Sequence, residues 1–420
     1  MKAEIITIGD ELLIGQVVDT NSAWMGQQLN AHGIKVYQIT SVSDDEQHIL
    51  NALTDAASRV QLVLITGGLG PTRDDITKYT LCKYFNTKLV FNDKAYENLV
   101  AIFKKFGREV TERNRSQADL PENCTPVINL RGTASGMWFD QNDVVYVSMP
   151  GVPHEMKGMM TDAVLPMIKQ RFNTPFIMHR TILTQGIGES FLADLLDKFE
   201  DEIPSVLKLA YLPASGMVRL RLTGIGEEAM IKSTMQQQVQ KLMEIVKPYI
   251  YGYDDESLEI VVGRILKSLG KTVCTAESCT GGYVAHLITK VPGSSAYYVG
   301  STVTYSYPIK TNLLHVPADL LEKHGAVSEE VVRIMASESR RLLNTDYSIA
   351  TTGIAGPDGG TTDKPVGTVW IGVATKTQVV ARKFQFGGDR SRNIEMTAVN
   401  ALNMLRKVLI EENAEVLKEN

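Results

Sequence analysis

The apolar pair Val273-Cys274 runs into Thr275-Ala276-Glu277-Ser278-Cys279-Thr280-Gly281-Gly282, and Val284, Leu287, Ile288 and Val291 follow at i, i+3, i+4 and i+7. That order dictates a strand, a tight turn and a helix with one buried face. A helix N-terminus presents free backbone N–H groups and a partial positive charge, so hydroxyls held there meet a setting suited to an oxyanion or a phosphate. Ser278 is thereby a candidate nucleophile. The plainer alternative makes Ser278 and Thr280 caps of the helix.

The chain is longer than one ordinary core: 420 residues predict two or three domains. With 44% apolar and 22% charged residues it has the composition of a soluble globular protein. A net charge of −5 argues against nucleic-acid binding by bulk electrostatics. Apolar runs are too short for a membrane span, and Glu4 interrupts the first of them without a small-residue cleavage pattern, so a cytoplasmic location is expected. Cys82, Cys124, Cys274 and Cys279 are too scattered for a disulfide framework or a zinc knuckle and read as buried thiols, and no histidine pair has metal-ligand spacing.

In the first segment, apolar runs at Ile5–Ile8, Ile34–Thr40 and Leu62–Ile65 alternate with helical patterns that Asp19 and Asp44-Asp45 open. Strand and helix in alternation predict a parallel sheet with a site at the carboxyl ends of its strands. The third run enters Thr66-Gly67-Gly68-Leu69-Gly70-Pro71-Thr72-Arg73-Asp74-Asp75. Gly67, Gly68 and Gly70 let backbone N–H groups approach an anionic oxygen, while Asp74 and Asp75 read either as divalent-metal ligands or as helix-start residues.

The segment after Asn173-Thr174-Pro175 reads strand, turn, helix, strand, strand, helix, and Val218-Arg219-Leu220-Arg221-Leu222 alternates as a half-exposed antiparallel strand does. Lys208, Arg219 and Arg221 could line an RNA-binding face, but aromatic platforms and a Gly-x-x-Gly clamp are not evident. A spacer or dimer contact is the preferred reading. Tyr249–Asp255 marks the next boundary, and Ser257 is a plausible cap for the helix that follows.

Three blocks in the last segment occur in a fixed order: Ala276–Gly282, His324-Gly-Ala-Val-Ser-Glu329, and the glycine-rich Ala350–Val369. Together they resemble the C-terminal domain of the competence/damage-inducible protein A (CinA) family, whose members are nicotinamide mononucleotide deamidases. The first segment is similar to the N-terminal domain of full-length members, which has a molybdopterin-binding (MoaB/MogA-like) fold. Gly9–Gly15, Asp19–Asn21, Gly132–Ala134 and Met149–Met156 carry this likeness, with Ser135 where many relatives have proline. The middle resembles the KH-like linker domain.

The resemblance implies an α/β protein. Residues 1–172 form a parallel-sheet MoaB/MogA-like domain, 173–253 a small α+β KH-like domain, and 254–420 an α/β amidase domain. It implies that Ser278, Lys310 and Tyr305 are catalytic in a Ser-Lys amidohydrolase, with Tyr307-Pro308 departing from the relatives' Asn and acid. Such a lysine must lose its proton, so its pKa has to fall from about 10.4 toward the working pH. Backbone N–H groups at the start of the following helix would hold the oxyanion. Cys279, Thr280, Gly281, Thr352, Gly353, the 356–360 loop and Arg390 are candidate substrate contacts, with pairing of Arg390 to Asp389 or Asp363 as the alternative.

For the first domain the resemblance implies ADP-ribose hydrolysis assisted by a divalent metal on two or three carboxylates, with the loop acid falling on Asp75, the second acid on Asp44 or Asp45, and Asp74 a further candidate. The amidase is expected to need no cofactor. Partners implied are small nucleotides (nicotinamide mononucleotide, ADP-ribose) and a second copy in a homodimer, with nucleic acid unlikely and no membrane. Molybdopterin binding, or a non-catalytic competence or DNA-damage role, are the alternatives; fold alone does not choose among them.

Overall fold

The computed structural model describes residues 1–72, 74–214 and 216–418. The chain forms two compact units, one of Met1–Met178 with Gly224–Lys232 and one of His179–Thr223 with Ser233–Asn420. By compactness, then, most of the middle segment groups with the third.

The first unit is built on a six-stranded sheet in the order Lys35–Val42, Lys2–Ile8, Leu62–Thr66, Val144–Met149, Gly136–Gln141, Thr125–Val127. The first four strands are parallel, as the alternating pattern predicts. Gly136–Gln141 and Thr125–Val127 extend the sheet antiparallel, which the sequence pattern did not reveal. Leu62–Thr66 is buried on both faces, because helices cover both sides of a parallel sheet. Asp19 accepts the Ser22 N–H at 2.9 Å and Asp45 the His48 N–H at 2.9 Å, so both act as N-caps.

In the middle segment a four-stranded sheet has the order Leu207–Ala214, Met217–Gly226, Phe176–Gln185, Ile250–Tyr253. Val218, Leu220 and Leu222 face inward, and Arg219 faces solvent. Tyr249–Asp255, at the end of this segment, contains its last strand. Its aromatic residues favour extended backbone, and Ile250–Tyr253 pairs antiparallel with Phe176–Gln185 while Asp254 Oδ1 accepts the Thr181 N–H at 3.0 Å.

The third segment carries a five-stranded sheet ordered Tyr298–Val303, Val273–Glu277, Tyr347–Gly353, Thr368–Ala374, Val379–Gln385. The first three strands are parallel and the last two antiparallel. Strand alternation sorts the two faces. Ile349, Ile371 and Val373 pack with the helices Leu258–Leu269 and Arg390–Glu412, whereas Ala276, Ala350 and Ala374 pack with Glu329–Leu342 on the other side. Ser257 precedes Leu258–Leu269 but makes no side-chain capping bond, so the expected cap is corrected. Among the described residues no helix is long and apolar enough to cross a membrane.

Leu405, fully buried in the helix Arg390–Glu412, is a keystone of the first of these faces. Leu405→Ala is expected to cost about 2–5 kcal/mol through lost burial and the cavity left behind. Urea unfolding followed by circular dichroism measures it, and a loss under about 1 kcal/mol would show that this helix face is not core.

Candidate active site and ligand clefts

Glu277 is the last residue of the strand Val273–Glu277, and its side chain is fully buried. Gly281 and Gly282 have φ of 59° and 100°, left-handed values that fold the chain back so that the carboxylate meets the following helix, Tyr283–Thr289. Glu277 Oε2 accepts the N–H of Gly282 and of Val284 at 3.0 Å each, and Oε1 accepts that of Ala285 at 2.8 Å. A carboxylate at a helix N-terminus is favoured by both hydrogen bonding and the dipole. The caps are neither Ser278 nor Thr280. Nor is this helix start an oxyanion site, since its N–H groups are spent on Glu277. Among the described residues the Thr280 N–H meets no other acceptor and the Cys279 N–H faces only its own sulfur, and both adjoin Ser278.

Ser278 is held by its own N–H, which donates to Thr351 O at 3.0 Å. Its hydroxyl lies 3.0 Å from Lys310 Nζ, and Lys310 also reaches Thr304 O at 2.6 Å and Tyr305 O at 3.2 Å. Lys310 is 1% exposed, and no carboxylate lies within ion-pair distance of it among the described residues. Burial therefore lowers its pKa from 10.5 to about 8, against a smaller upward pull from Cys279. A neutral amine has two N–H groups and one lone pair. The two carbonyls take the N–H groups and leave the lone pair to accept the Ser278 O–H. Cys279 is no rival nucleophile, because burial pushes its thiol up to about 12.

Around these groups lies a cavity of about 170 Å³ lined by Ser278, Cys279, Tyr305, Lys310, Ala326, Val327, Thr352, Gly353, Ala355 and Arg390. Most of these come from the carboxyl ends of parallel strands or the loops beyond them, as such sheets dictate. Thr352 Oγ1 donates to Ala326 O at 2.9 Å, fastening one wall. Arg390 pairs with neither Asp389 nor Asp363. Nη1 donates to Gly356 O at 2.7 Å and Nη2 to Tyr305 Oη at 3.1 Å, bridging two loops at the rim.

Several expectations change. Tyr305 does not present its hydroxyl to Ser278; it supplies a carbonyl to Lys310 and a hydroxyl to Arg390. Thr280 and Gly281 are absent from the cavity wall: the Thr280 hydroxyl bonds Thr351 Oγ1 at 2.7 Å, and the Gly281 N–H donates to Ser278 O at 3.2 Å. The sequence reading missed Glu277, although the motif contains it, and the contributions of Thr304, Ala326 and Ala355, which are made by backbone or by position.

In the first unit the glycine-rich turn lines a cleft of about 390 Å³ with Gly67, Gly68, Gly70, Glu11, Asp44, Asp74, Asp75 and Glu155 among its walls. Gly67 has φ 117°, and a Cβ there would lie 2.1 Å from Ile8 O, so the turn requires glycine. Asp44 enters the cleft and accepts the Asp10 N–H at 3.1 Å. Burial raises its pKa, the Asp10 N–H lowers it, and the charges of Asp10, Glu11 and Asp74 raise it further. Asp45 is turned away as a helix cap. Asp75 is occupied by its own loop, accepting the N–H of Gly70 at 2.7 Å and of Thr72 at 2.9 Å. Asp74 is exposed, with its pKa lowered by the Thr72 hydroxyl. Asp44, Asp74 and Asp75 line the cleft and Asp45 does not, and among the described residues no group of three His, Cys, Asp or Glu side chains is placed to hold a metal ion. Glu11 and Glu155, not singled out beforehand, share the cleft, and burial raises the Glu155 pKa.

Glu277→Ala strips three helix N–H groups of their acceptor, and each such charge-assisted bond is worth about 1.5–3 kcal/mol. The variant is expected to lose at least about 3 kcal/mol in urea unfolding and to let Ser278 drift from Lys310. A stability within about 1 kcal/mol of the parent would overturn this role.

Comparisons with known proteins span the same segments. A probable molybdopterin binding domain matches residues 4–170, a damage-inducible protein CinA KH domain residues 179–252, and a CinA C-terminal domain residues 255–409. A CinA-like protein of Cytophaga hutchinsonii is 51% identical over 97% of this chain and 98% of its own. One of Flavobacterium psychrophilum is 44% identical over 98% and 99%. A crystal structure of a CinA superfamily protein from Klebsiella pneumoniae, 35% identical, covers 37% of this chain and 96% of its own with a TM-score of 0.36. Similarity of this extent, running through all three segments, makes the chain a member of the CinA family.

Proposed function

We propose that the Ser278 cleft hydrolyses the carboxamide of nicotinamide mononucleotide to the carboxylate and ammonia. The observation that carries this is the buried, unpaired Lys310 amine 3.0 Å from a serine hydroxyl. Ser278 Oγ attacks the carboxamide carbon as its proton passes to Lys310 Nζ. The oxyanion is met by the Cys279 and Thr280 N–H groups. Lys310 returns the proton to the leaving amine, ammonia departs, and an ester to Ser278 remains. Lys310 then takes a proton from water, whose oxygen attacks the ester, and passes that proton to Ser278 Oγ as the ester bond breaks and nicotinate mononucleotide leaves. Ligand sites of about 300 Å³ or more are usual, so a cavity of 170 Å³ seats the planar head alone. The phosphate end extends past the rim, where Arg390 has N–H groups to spare.

Ammonia release tests the reading. Ser278→Ala and Lys310→Met are each expected to lower kcat at least about 10³-fold while the fold is kept. A residual rate within tenfold of the parent for either variant would sink it. Because Lys310 must be neutral to act, kcat should rise with pH and level off above about 8, about one molecule in ten being active near pH 7. The same shift bears on stability. The unfolded chain holds this proton up to about 10.5 and the folded chain only to about 8, so the burial penalty on the ammonium is full below about 8 and fades between those values, raising stability with pH there.

For the first unit the resemblance assigns ADP-ribose as substrate. Among the described residues no three acids are placed to hold a metal ion, so no step is routed through a metal. If this cleft cleaves ADP-ribose, Asp44 and not Asp45 serves it: Asp44→Asn should abolish cleavage and Asp45→Asn should keep it, and the reverse result would contradict the assignment.

A further inference from the structure

A second cavity of about 620 Å³ lies in the unit that holds Ser278 and shares no wall residue with its cleft. One side is a helical stripe at Gln240, Met243, Glu244 and Lys247, and the other is the face of Arg390–Glu412 that carries Arg406, Lys407 and Ile410. Pro248, Ile250 and Tyr253 add further apolar wall.

Arg406 is the anomaly. It is 7% exposed, and its one hydrogen bond among the described residues runs from Nε to Asn403 Oδ1 at 3.0 Å. No Asp or Glu lies within ion-pair distance of it among the described residues, although Glu244 and Glu411 stand at the exposed rim. Asn403 is itself fixed by Gln185, which also donates to Asn400 Oδ1 at 3.0 Å, so this polar chain holds the guanidinium in place. Arginine is rarely buried without a partner, because its planar fork keeps donors that must be satisfied. Burial lowers the Arg406 pKa, and Lys407 beside it is lowered first by burial and then by the charges of Arg406 and Arg382.

We propose that this cavity binds a small organic anion, its carboxylate or phosphate paired with the free Nη groups of Arg406 and its planar apolar body lying against Met243, Ile250 and Tyr253. Two spare N–H groups on one edge suit a bidentate oxyanion, and Lys247 and Lys407 at the rim add attraction. The volume lies in the range of small-molecule sites, apolar walls with a few fixed polar groups being their usual make-up. This site is independent of the amidase reading.

The test titrates the full chain at pH 8 with phenyl phosphate, benzoate and benzyl alcohol, followed by calorimetry. One saturable site is expected for at least one of the anions, and the tighter of the two names the head group. Benzyl alcohol should bind at least about tenfold more weakly, and Arg406→Gln should weaken the anion at least about tenfold. Arg390→Gln, altered at the Ser278 cleft, should leave this binding intact. No binding of either anion at millimolar concentration, equal affinity for the alcohol, or binding lost in Arg390→Gln but kept in Arg406→Gln would each overturn the proposal. Where Arg406→Gln fails to fold by circular dichroism, Met243→Trp decides: its indole fills the cavity from a half-buried position, so loss of binding supports the site and retention refutes it.

Discussion

A lysine amine enclosed without a counter-charge is the constraint on which the rest of the third segment turns. Burying Lys310 is unfavourable for its ammonium form, and the fold offsets part of that cost through the carbonyls of Thr304 and Tyr305. Those carbonyls are placed by a closed circuit of bonds. The Thr304 N–H donates to Glu277 O at 2.8 Å, Thr304 O accepts from Lys310, and Lys310 meets the hydroxyl of Ser278, next in sequence to Glu277. The helix Tyr307–Leu314 carries Lys310 at its fourth position with Pro308 near its start, where a fixed φ and a missing N–H cost nothing. Strand end, loop and helix start thus position one another.

Glu277 governs the other half of the circuit. Its main chain fixes the loop that holds Lys310, and its side chain fixes the helix beyond Ser278, so one buried residue determines both sides of the Ser278–Lys310 contact. Because its carboxylate is engaged by helix N–H groups and makes no ion pair with Lys310 among the described residues, burial remains the dominant influence on the amine. The acid that stabilises the turn is in this way compatible with a basic lysine 33 positions further on.

Hydrophobic periodicity made the strands and most helices legible, since burial of one face is written in side chains. Leu62–Thr66, Met217–Gly226 and Val273–Glu277 are cases in point. The pairing of Ser278 with Lys310 came from motif resemblance, because the distance between two side chains 32 positions apart is set by a sheet that no local pattern describes. Backbone contributions stayed hidden for a plainer reason. Thr304 O or the Cys279 N–H is available in any residue type, so sequence carries no mark of it. That Ile250–Tyr253 closes the middle sheet as a strand stayed hidden because a short aromatic run beside Asp-Asp acquires strand character only from its partner.

The two glycine-rich turns show why an acid beside such a turn misleads. At Gly67–Asp75 and at Glu277–Gly282, free N–H groups and nearby carboxylates suggest an anion site or a metal site. In both, a carboxylate of the chain has taken the N–H groups: Asp75 those of Gly70 and Thr72, Glu277 those of Gly282, Val284 and Ala285. An intramolecular acid has a high effective concentration and loses little entropy on binding, so it outcompetes a ligand for the most exposed donors. What remains for a ligand is the remainder: N–H groups one step removed from the cap, such as those of Cys279 and Thr280. The same subtraction applied to cations leaves Lys310 and Arg406 as buried groups outside every ion pair of the described residues, the first met by Ser278 and two carbonyls and the second by Asn403 alone.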